Sequence, residues 1–464
     1  MLAQLSLNKE QMHKARQSRD HRFDGLFYIG VLSTGIFCRP ICPAKLAKEE
    51  NVQYYLSAAL AIEAGFRPCK LCKPDIAPIN SSLPSINPLI DNGIILIHKD
   101  LGLSIKDIAA QLGVSTRHLH QQFQQKMGLS PSSYQLSAKL LFAKQLLQHS
   151  HYSILEVAIA SGFNSSRAMQ YAFKNTFSMS PSSLRKSDKD KIPLETKLFI
   201  AYRPPYLWHA LRDFLASRQL PNVDQVTENS YTRWFEIDGY QGKVIAIHNP
   251  ARSGFDLFIC VQHSTHIKPC LDQMTRILDC SADWLSIADG IKKSGYTLTE
   301  STEGLRLPGT WNCFEAGCRA ILGQQVSVAG AVTKTREFVQ AIRKIHSGIG
   351  FPAPWQVTQE TLCDVGMPIS RKSTLLLFAE FMSEEKNQEQ IEKGDVSQLL
   401  TLKGIGPWTC QYILMRGVSH PDIWMEKDLG IIRQCEQNNL EPHKAKPWGS
   451  YLTLCLWHDY MNKQ

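Results

Sequence analysis

Four cysteines among the first 72 residues constrain this chain more than any other feature. Cys38-x3-Cys42 and Cys69-x2-Cys72 present two chelating pairs at the spacing of a tetrahedral thiolate site, which pins four backbone points to one centre. A small metal-bound domain follows, and on spacing alone its Zn²⁺ would be purely structural. The other cysteines are scattered, and a total of 13 is odd, so reduced thiols are expected rather than a disulfide framework.

At 464 residues the chain is about three times a typical domain of roughly 100 to 150 residues, so several cores should be sought. Lys and Arg number 51 against 42 Asp and Glu, a net charge of +9, which favours an anionic partner. No apolar run of about 20 residues exists to span a membrane, which argues against a membrane partner. The stretch Met1 to Glu10 has neither the charged nor the apolar region of a secretory signal, and the expected location is cytoplasmic.

The quartet lies in a first segment, residues 1–78. Asn80 to Pro88 reads as a polar linker, and residues 89–187 then follow a helical pattern that repeats itself. Ile105-Lys106-Asp107-Ile108-Ala109-Ala110-Gln111-Leu112-Gly113 is echoed by Ile154-Leu155-Glu156-Val157-Ala158-Ile159-Ala160-Ser161-Gly162, and Ser130-Pro131-Ser132-Ser133 by Ser180-Pro181-Ser182-Ser183. In each copy a helix ends near glycine and a polar helix follows, carrying Arg117, His118 and Gln121 in the first copy and Arg167 and Gln170 in the second. Helix, short turn and donor-rich helix is the geometry that enters a DNA major groove. One copy would be weak support, because plain helical hairpins are common; two copies strengthen it.

The charged stretch Arg185 to Lys191 marks a second linker. Residues 196–285 mix β-rich runs such as Val244 to His248 and Phe255 to Cys260 with helical ones, and residues 286–464 are predicted mainly helical. The expected fold class is therefore multidomain and mainly α with α+β parts: a small zinc-bound α/β domain, a paired helix-turn-helix domain, a small α+β domain and an all-α domain. Late in the last segment, Leu402-Lys403-Gly404-Ile405-Gly406-Pro407-Trp408-Thr409 places two glycines in a tight connection, with Asp428 downstream. Without Cβ atoms, such a turn lets backbone N–H groups approach a phosphate, and a carboxylate beside it can act on what the phosphate carries.

Several motifs resemble known families. Thr34-Gly35-Ile36-Phe37-Cys38-Arg39-Pro40 with Gly65-Phe66-Arg67-Pro68-Cys69-Lys70 resembles the Ada-type methyl-acceptor domain. That resemblance implies that Zn²⁺ is both structural and thiolate-activating, and that Cys38 irreversibly takes a methyl group from a methylphosphotriester in DNA. A zinc-held thiolate is a soft nucleophile suited to this attack. Methylating one of four thiolates also removes a negative charge, so a polyanionic duplex should repel the domain less and promoter binding should tighten. The repeated helical unit resembles the AraC-type regulator domain. It implies base or phosphate contacts by Arg117, His118, Gln121, Arg167 and Gln170, promoter DNA as a partner, and RNA polymerase as a further candidate.

Residues 196–464 resemble the AlkA-like 3-methyladenine DNA glycosylases of the helix-hairpin-helix superfamily. The likeness runs through Tyr202-Arg203-Pro204-Pro205-Tyr206, Leu305-Arg306-Leu307-Pro308-Gly309, Arg319 to Val328 and the Gly404–Gly406 hairpin. The resemblance implies excision of alkylated bases from double-stranded DNA. Gly404 and Gly406 would grip the backbone, Gln325 would wedge into the gap left by a flipped base, and Trp408, Tyr412, Trp457 and Phe214 would line the pocket. It makes Asp428 the catalytic carboxylate, with Glu426 as the fallback, because the proline common before the family's aspartate is missing. Trp408 stands where strand-cutting relatives carry a lysine, which implies monofunctional hydrolysis. Only Cys435 and Cys455 follow Asp428, so no iron-sulfur cluster is expected. The tetrapeptide Pro-Cys-His-Arg of O6-methylguanine methyltransferases is absent. Two alternatives stay open: a transcription regulator whose glycosylase fold only binds DNA, and an enzyme whose front half merely targets it to DNA.

Overall fold

The structure, a computed structural model, describes residues 7–78, 87–185 and 195–462. The predicted linkers lie largely outside them; at its end the first meets a helix, Pro88–Lys99, capped by Asn87. The chain folds as two compact units, Met1–Pro204 with Asn249–Asp272, and Pro205–His248 with Gln273–Gln464. Residues 196–285 contribute to both. No helix among the described residues is long and apolar enough to cross a membrane.

In the first unit, strands β1 (Tyr28–Val31), β2 (Ile36–Cys38), β3 (Val52–Tyr55) and β4 (Arg67–Pro68) form a sheet in the order β3-β1-β2-β4. β1 pairs antiparallel with β2 and β3, while β2 and β4 run parallel with Phe37 opposite Pro68. That last pairing matters for chemistry. It carries the chain from Cys38 at the end of β2 to Cys69 just past β4, where the Cys69 N–H donates to Phe37 O at 2.9 Å.

The repeat is visible down to its helix caps. Ser104 and Ser153 cap the first helices, Ile105–Gln111 and Ile154–Ala160, and Ser115 and Ser165 cap the second, Thr116–Met127 and Ser166–Phe177; each hydroxyl accepts the backbone N–H three residues on. Gly113 and Gly162 make the turns at φ +69° and +75°. Ile108, Leu119 and Phe123 are buried in one copy as Val157, Met169 and Phe173 are in the other. The long helix Pro131–His149 joins the copies. In the same unit β5 (Glu195–Ala201) pairs antiparallel with a strand over Gly254–Cys260.

The second unit contains an antiparallel meander of Asp224–Val226, Ser230–Ile237 and Tyr240–Asn249 and a large helical core. Its central helix, Cys313–Leu322, is buried almost throughout, Glu315 included. Arg233 Nη2 reaches Glu315 Oε2 at 2.6 Å, and Arg319 Nη2 reaches Oε1 at 2.8 Å. Burial raises the carboxyl pKa of Glu315, but the two guanidinium groups outweigh it and hold it down at about 2. The hairpin helix Pro407–Ile413 and a wider turn, Leu414–Val418, pack on this core, and Gly417 lets the chain approach closely: a Cβ there would lie 2.9 Å from Cys313 Cα.

Candidate functional site

The cysteine quartet converges. The four Sγ atoms of Cys38, Cys42, Cys69 and Cys72 lie within 4.8 Å of one another. Tetrahedral Zn²⁺ with bonds of about 2.3 Å needs sulfurs about 3.8 Å apart, so the four thiols fit that ion in number, type and spacing. Backbone N–H groups from Arg39 and Leu71 donate to Cys72 Sγ (3.3 Å) and Cys69 Sγ (3.4 Å), which favours thiolate over thiol. Arg39 is itself buried, with Nε donating to Asp24 Oδ1 at 2.7 Å and Nη1 to Cys72 O at 3.1 Å. Three of the cysteines are buried, whereas Cys38 is half-exposed. The cysteine singled out by sequence is thus the least buried of the four.

On the helix-turn-helix copies, Arg117, His118, Gln121, Arg167 and Gln170 are all exposed, opposite the buried Leu119, Phe123, Met169 and Phe173. Tyr171, 69% exposed beside Gln170, joins that face.

In the second unit the hairpin and Asp428 come together. Asp428 caps the helix Leu429–Asn438: its Oδ1 accepts from the Gly430 N–H at 3.0 Å and the Ile431 N–H at 3.3 Å. Its other oxygen, Oδ2, accepts from Trp408 Nε1 at 3.3 Å. Trp408 stacks on Tyr412 with ring centroids 5.4 Å apart and 26° between planes. Asp428 therefore has one oxygen committed to its helix and one turned toward the aromatic pair. Glu426 is exposed, without such an arrangement around it.

Phe214, expected to line the pocket, is flanked by two arginines. The Arg218 guanidinium lies 3.7 Å from its ring centroid and that of Arg416 lies 4.6 Å away. Arg416 Nη1 donates to Tyr412 OH at 3.1 Å and its Nε donates to Pro308 O. Burial lowers the pKa of both guanidinium groups, that of Arg218 to about 10. These arginines link Phe214 to Tyr412, and sequence reasoning missed them; the i, i+4 step from Tyr412 to Arg416 was the available signal. Trp457 is half-buried against the same core.

The two glycines play different parts. Gly404 has φ +91°, and a Cβ there would fall 2.0 Å from Thr374 Oγ1; Gly406 is the N-cap of the hairpin helix, where a Cβ would meet nothing within 4 Å. Gly404 is thus required by conformation and packing, while Gly406 leaves the backbone uncovered. Gly404→Ala is expected to destabilise the fold by about 1–3 kcal/mol and to weaken duplex binding at least tenfold, as thermal unfolding and a binding titration would report. Gln324 Nε2 donates to Gly404 O at 3.1 Å and Arg371 Nη2 to Gln324 O at 2.8 Å, bracing the hairpin against the loop that bears Gln325. Gln325 is exposed and left-handed at φ +59°, a conformation costly for a residue with a Cβ.

Three segments match described families: the metal binding domain of Ada over residues 11–75, a helix-turn-helix domain over residues 108–187, and the AlkA N-terminal domain over residues 197–312. Among whole proteins, the chain is 28% identical to a Mycobacterium tuberculosis protein named probable bifunctional transcriptional activator/DNA repair enzyme AlkA, covering 97% of this chain and 96% of that one. It is 31% identical to DNA-3-methyladenine glycosylase 2 of Escherichia coli, covering 55% of this chain and 95% of the relative. Among solved structures, the E. coli Ada protein in complex with DNA is 33% identical over 30% of this chain and 97% of that one, with a TM-score of 0.15.

Proposed function

As a chain that belongs to the AlkA family of DNA glycosylases and carries Ada-type metal-binding and helix-turn-helix segments in front, this protein is, we propose, a bifunctional alkylation-response protein. It binds DNA, releases alkylated bases of the 3-methyladenine type by hydrolysis, and senses methylphosphotriesters to regulate transcription. The observation that carries the glycosylase reading is the Asp428 carboxylate turned toward the Trp408–Tyr412 stack beside the Gly404–Gly406 hairpin.

Purine nucleotides alkylated at a ring nitrogen such as N3 are cationic and electron-poor, and a flipped base of that kind stacks well on π faces such as those of Trp408 and Tyr412, with Trp457 and Phe214 completing the pocket. As the bond from base to C1′ breaks, its electron pair leaves with the base and positive charge grows on the sugar. The Asp428 carboxylate stabilises that charge and accepts a proton from the water that adds to C1′. Trp408 offers no amine for a covalent link to the sugar, so the strand stays intact. Gln325 fills the vacated stack.

In the front half, Cys38, Cys42, Cys69 and Cys72 would hold Zn²⁺, which when bound keeps the sulfurs deprotonated and nucleophilic. Cys38 Sγ forms a bond to the methyl carbon of the phosphotriester, the carbon–oxygen bond breaks, and the phosphate oxygen keeps the electron pair. The loss of one negative charge then favours promoter DNA, read by Arg117, His118, Gln121, Arg167 and Gln170, with RNA polymerase as the partner recruited. The protein acts in the cytoplasm, and the reading includes no iron-sulfur cluster. Incubating the full chain with methylated DNA and measuring both free base and protein-bound methyl tests the two activities separately. Free base without protein-bound methyl would reduce the front half to a targeting module, and methyl uptake without free base would leave a regulator on an inactive glycosylase fold.

A further inference from the structure

Arg343 lies in the last turn of the helix Val328–Ile345, and the fold satisfies only part of its guanidinium group. Its Nη2 donates to Gly350 O at 2.9 Å and to Ile349 O at 3.2 Å. Its Nη1 is buried and has no hydrogen-bond partner among the described residues. A cationic donor left unpaired in that way is costly, so an acceptor brought to it is favoured. Burial lowers the pKa of this guanidinium, and the attraction of Glu236 only partly offsets that. The carbonyls that hold Nη2 are themselves fixed. Gly350 is left-handed at φ +76°, and a Cβ there would lie 2.9 Å from Phe235 Cα; its N–H donates at 2.8 Å to the carbonyl of Asn222, left-handed in turn at φ +61°.

Arg343 also lines a cavity of about 100 Å³, shared with Arg336, Asn222, Leu220 and Val339. Arg336 and Arg343 stand seven residues apart, two turns along one helix face, and Arg336 is exposed. Leu220 and Val339 are buried and apolar. The cavity thus has cations on one side and hydrocarbon on the other. An oxyanion that is polar all round, such as phosphate, would press unpaired oxygens on Leu220 and Val339. A carboxylate on a short aliphatic chain matches both sides. A cavity of about 150 Å³ lodges the six heavy atoms of benzene, so this one takes about four or five.

We propose that this cavity is a binding site for a small aliphatic carboxylate, of about the size of propionate, whose oxygens accept from Arg343 Nη1 and from Arg336 while its carbon chain rests on Leu220 and Val339. Planar carboxylate and planar guanidinium are matched partners, and hydrogen bonds between ionised groups are the strong ones. Arg336 and Arg343 lie about 12 and 22 Å along the helix axis from Val328, so the site is set apart from the Gln325 loop that leads into that helix. It is independent of the DNA-glycosylase reading.

The test uses the full chain and its Arg343→Lys and Arg336→Gln variants at constant ionic strength, with saturation-transfer NMR on the methyl group of propionate and a thermal melt of each protein. Propionate should bind saturably with a Kd of about 1 mM, a reasonable affinity for so small a ligand. Propionamide, of the same shape and uncharged, should bind at least about tenfold more weakly, and so should propionate to Arg343→Lys, which keeps a charge but loses the planar fork. Arg336→Gln should cost about threefold or more with an unchanged melt. If Arg343→Lys melts early, Arg336→Gln and propionamide carry the decision. No saturable binding, propionamide as tight as propionate, or a propionate Kd the same in both variants as in the parent overturns the proposal and leaves water as the partner of Arg343. Inorganic phosphate displacing propionate with an equal or lower constant overturns the carboxylate class. Competitive displacement by unmodified duplex would make the cavity part of the DNA surface and overturns the site as a separate one.

Discussion

Replacing Asp428 with Asn is expected to lower the rate of base release from alkylated DNA by about 10²–10³-fold while leaving KM nearly unchanged. The choice of substitution follows from the double duty of this side chain. Its Oδ1 caps the helix Leu429–Asn438 by accepting from Gly430 and Ile431, and only Oδ2 faces Trp408. Asparagine caps a helix about as well as aspartate, so the fold should lose no more than about 1 kcal/mol, chiefly from the missing charge at the helix N-terminus. What is lost is the charge proposed to stabilise the developing oxocarbenium. Asp428→Ala would remove cap and charge together and could not tell the roles apart. Single-turnover release of free base, with a thermal melt alongside, decides the matter: an unimpaired Asn variant would reduce Asp428 to a helix cap and leave the exposed Glu426 as the remaining acidic candidate.

The second large effect is expected at Cys38. Cys38→Ser should form no protein-bound methyl on methylphosphotriester DNA and show no gain in promoter affinity after exposure to it, whereas base release should persist. Serine is a poor nucleophile toward a methyl carbon at neutral pH, since its hydroxyl is not ionised there. The same substitution at buried Cys69 should act differently, because Cys69 sits where β4 meets β2 and its sulfur accepts from the Leu71 N–H. There, loss of a metal ligand should also unfold the small sheet, as structural zinc contributes folding free energy directly. Mass spectrometry of the protein after exposure, together with circular dichroism of the two variants, separates acceptor from scaffold. A Cys38→Ser protein that still gained promoter affinity would overturn the sensing mechanism.

The features read correctly from sequence are those whose cause is local. Two cysteine pairs at chelate spacing, the duplicated helical unit and the glycine turn at Gly404 each depend on residues only a few positions apart. Even the helix caps of the repeat, Ser104 with Ser153 and Ser115 with Ser165, are written in the chain, because a cap hydroxyl bonds a backbone N–H three residues away. Chain order also set the family resemblance, and with it Asp428 and Cys38 as candidates.

Tertiary structure decided what surrounds them. Gln324 reaches Gly404 across 80 residues and Arg371 reaches Gln324 across 47, so no periodicity could have shown that the hairpin and the Gln325 loop are braced together. Arg218 and Arg416 flank Phe214 because separate segments fold onto one core, which places two guanidinium groups against an expected aromatic pocket residue. The half-exposure of Cys38 among three buried cysteines is likewise a product of packing. The sequence by itself determined which chemical groups the protein owns and how each short segment folds, since backbone geometry and capping act over a few residues. Only the tertiary structure decided which oxygen of Asp428 turns toward Trp408 and which cysteine is least buried, because burial and hydrogen-bond partnership belong to the packed chain.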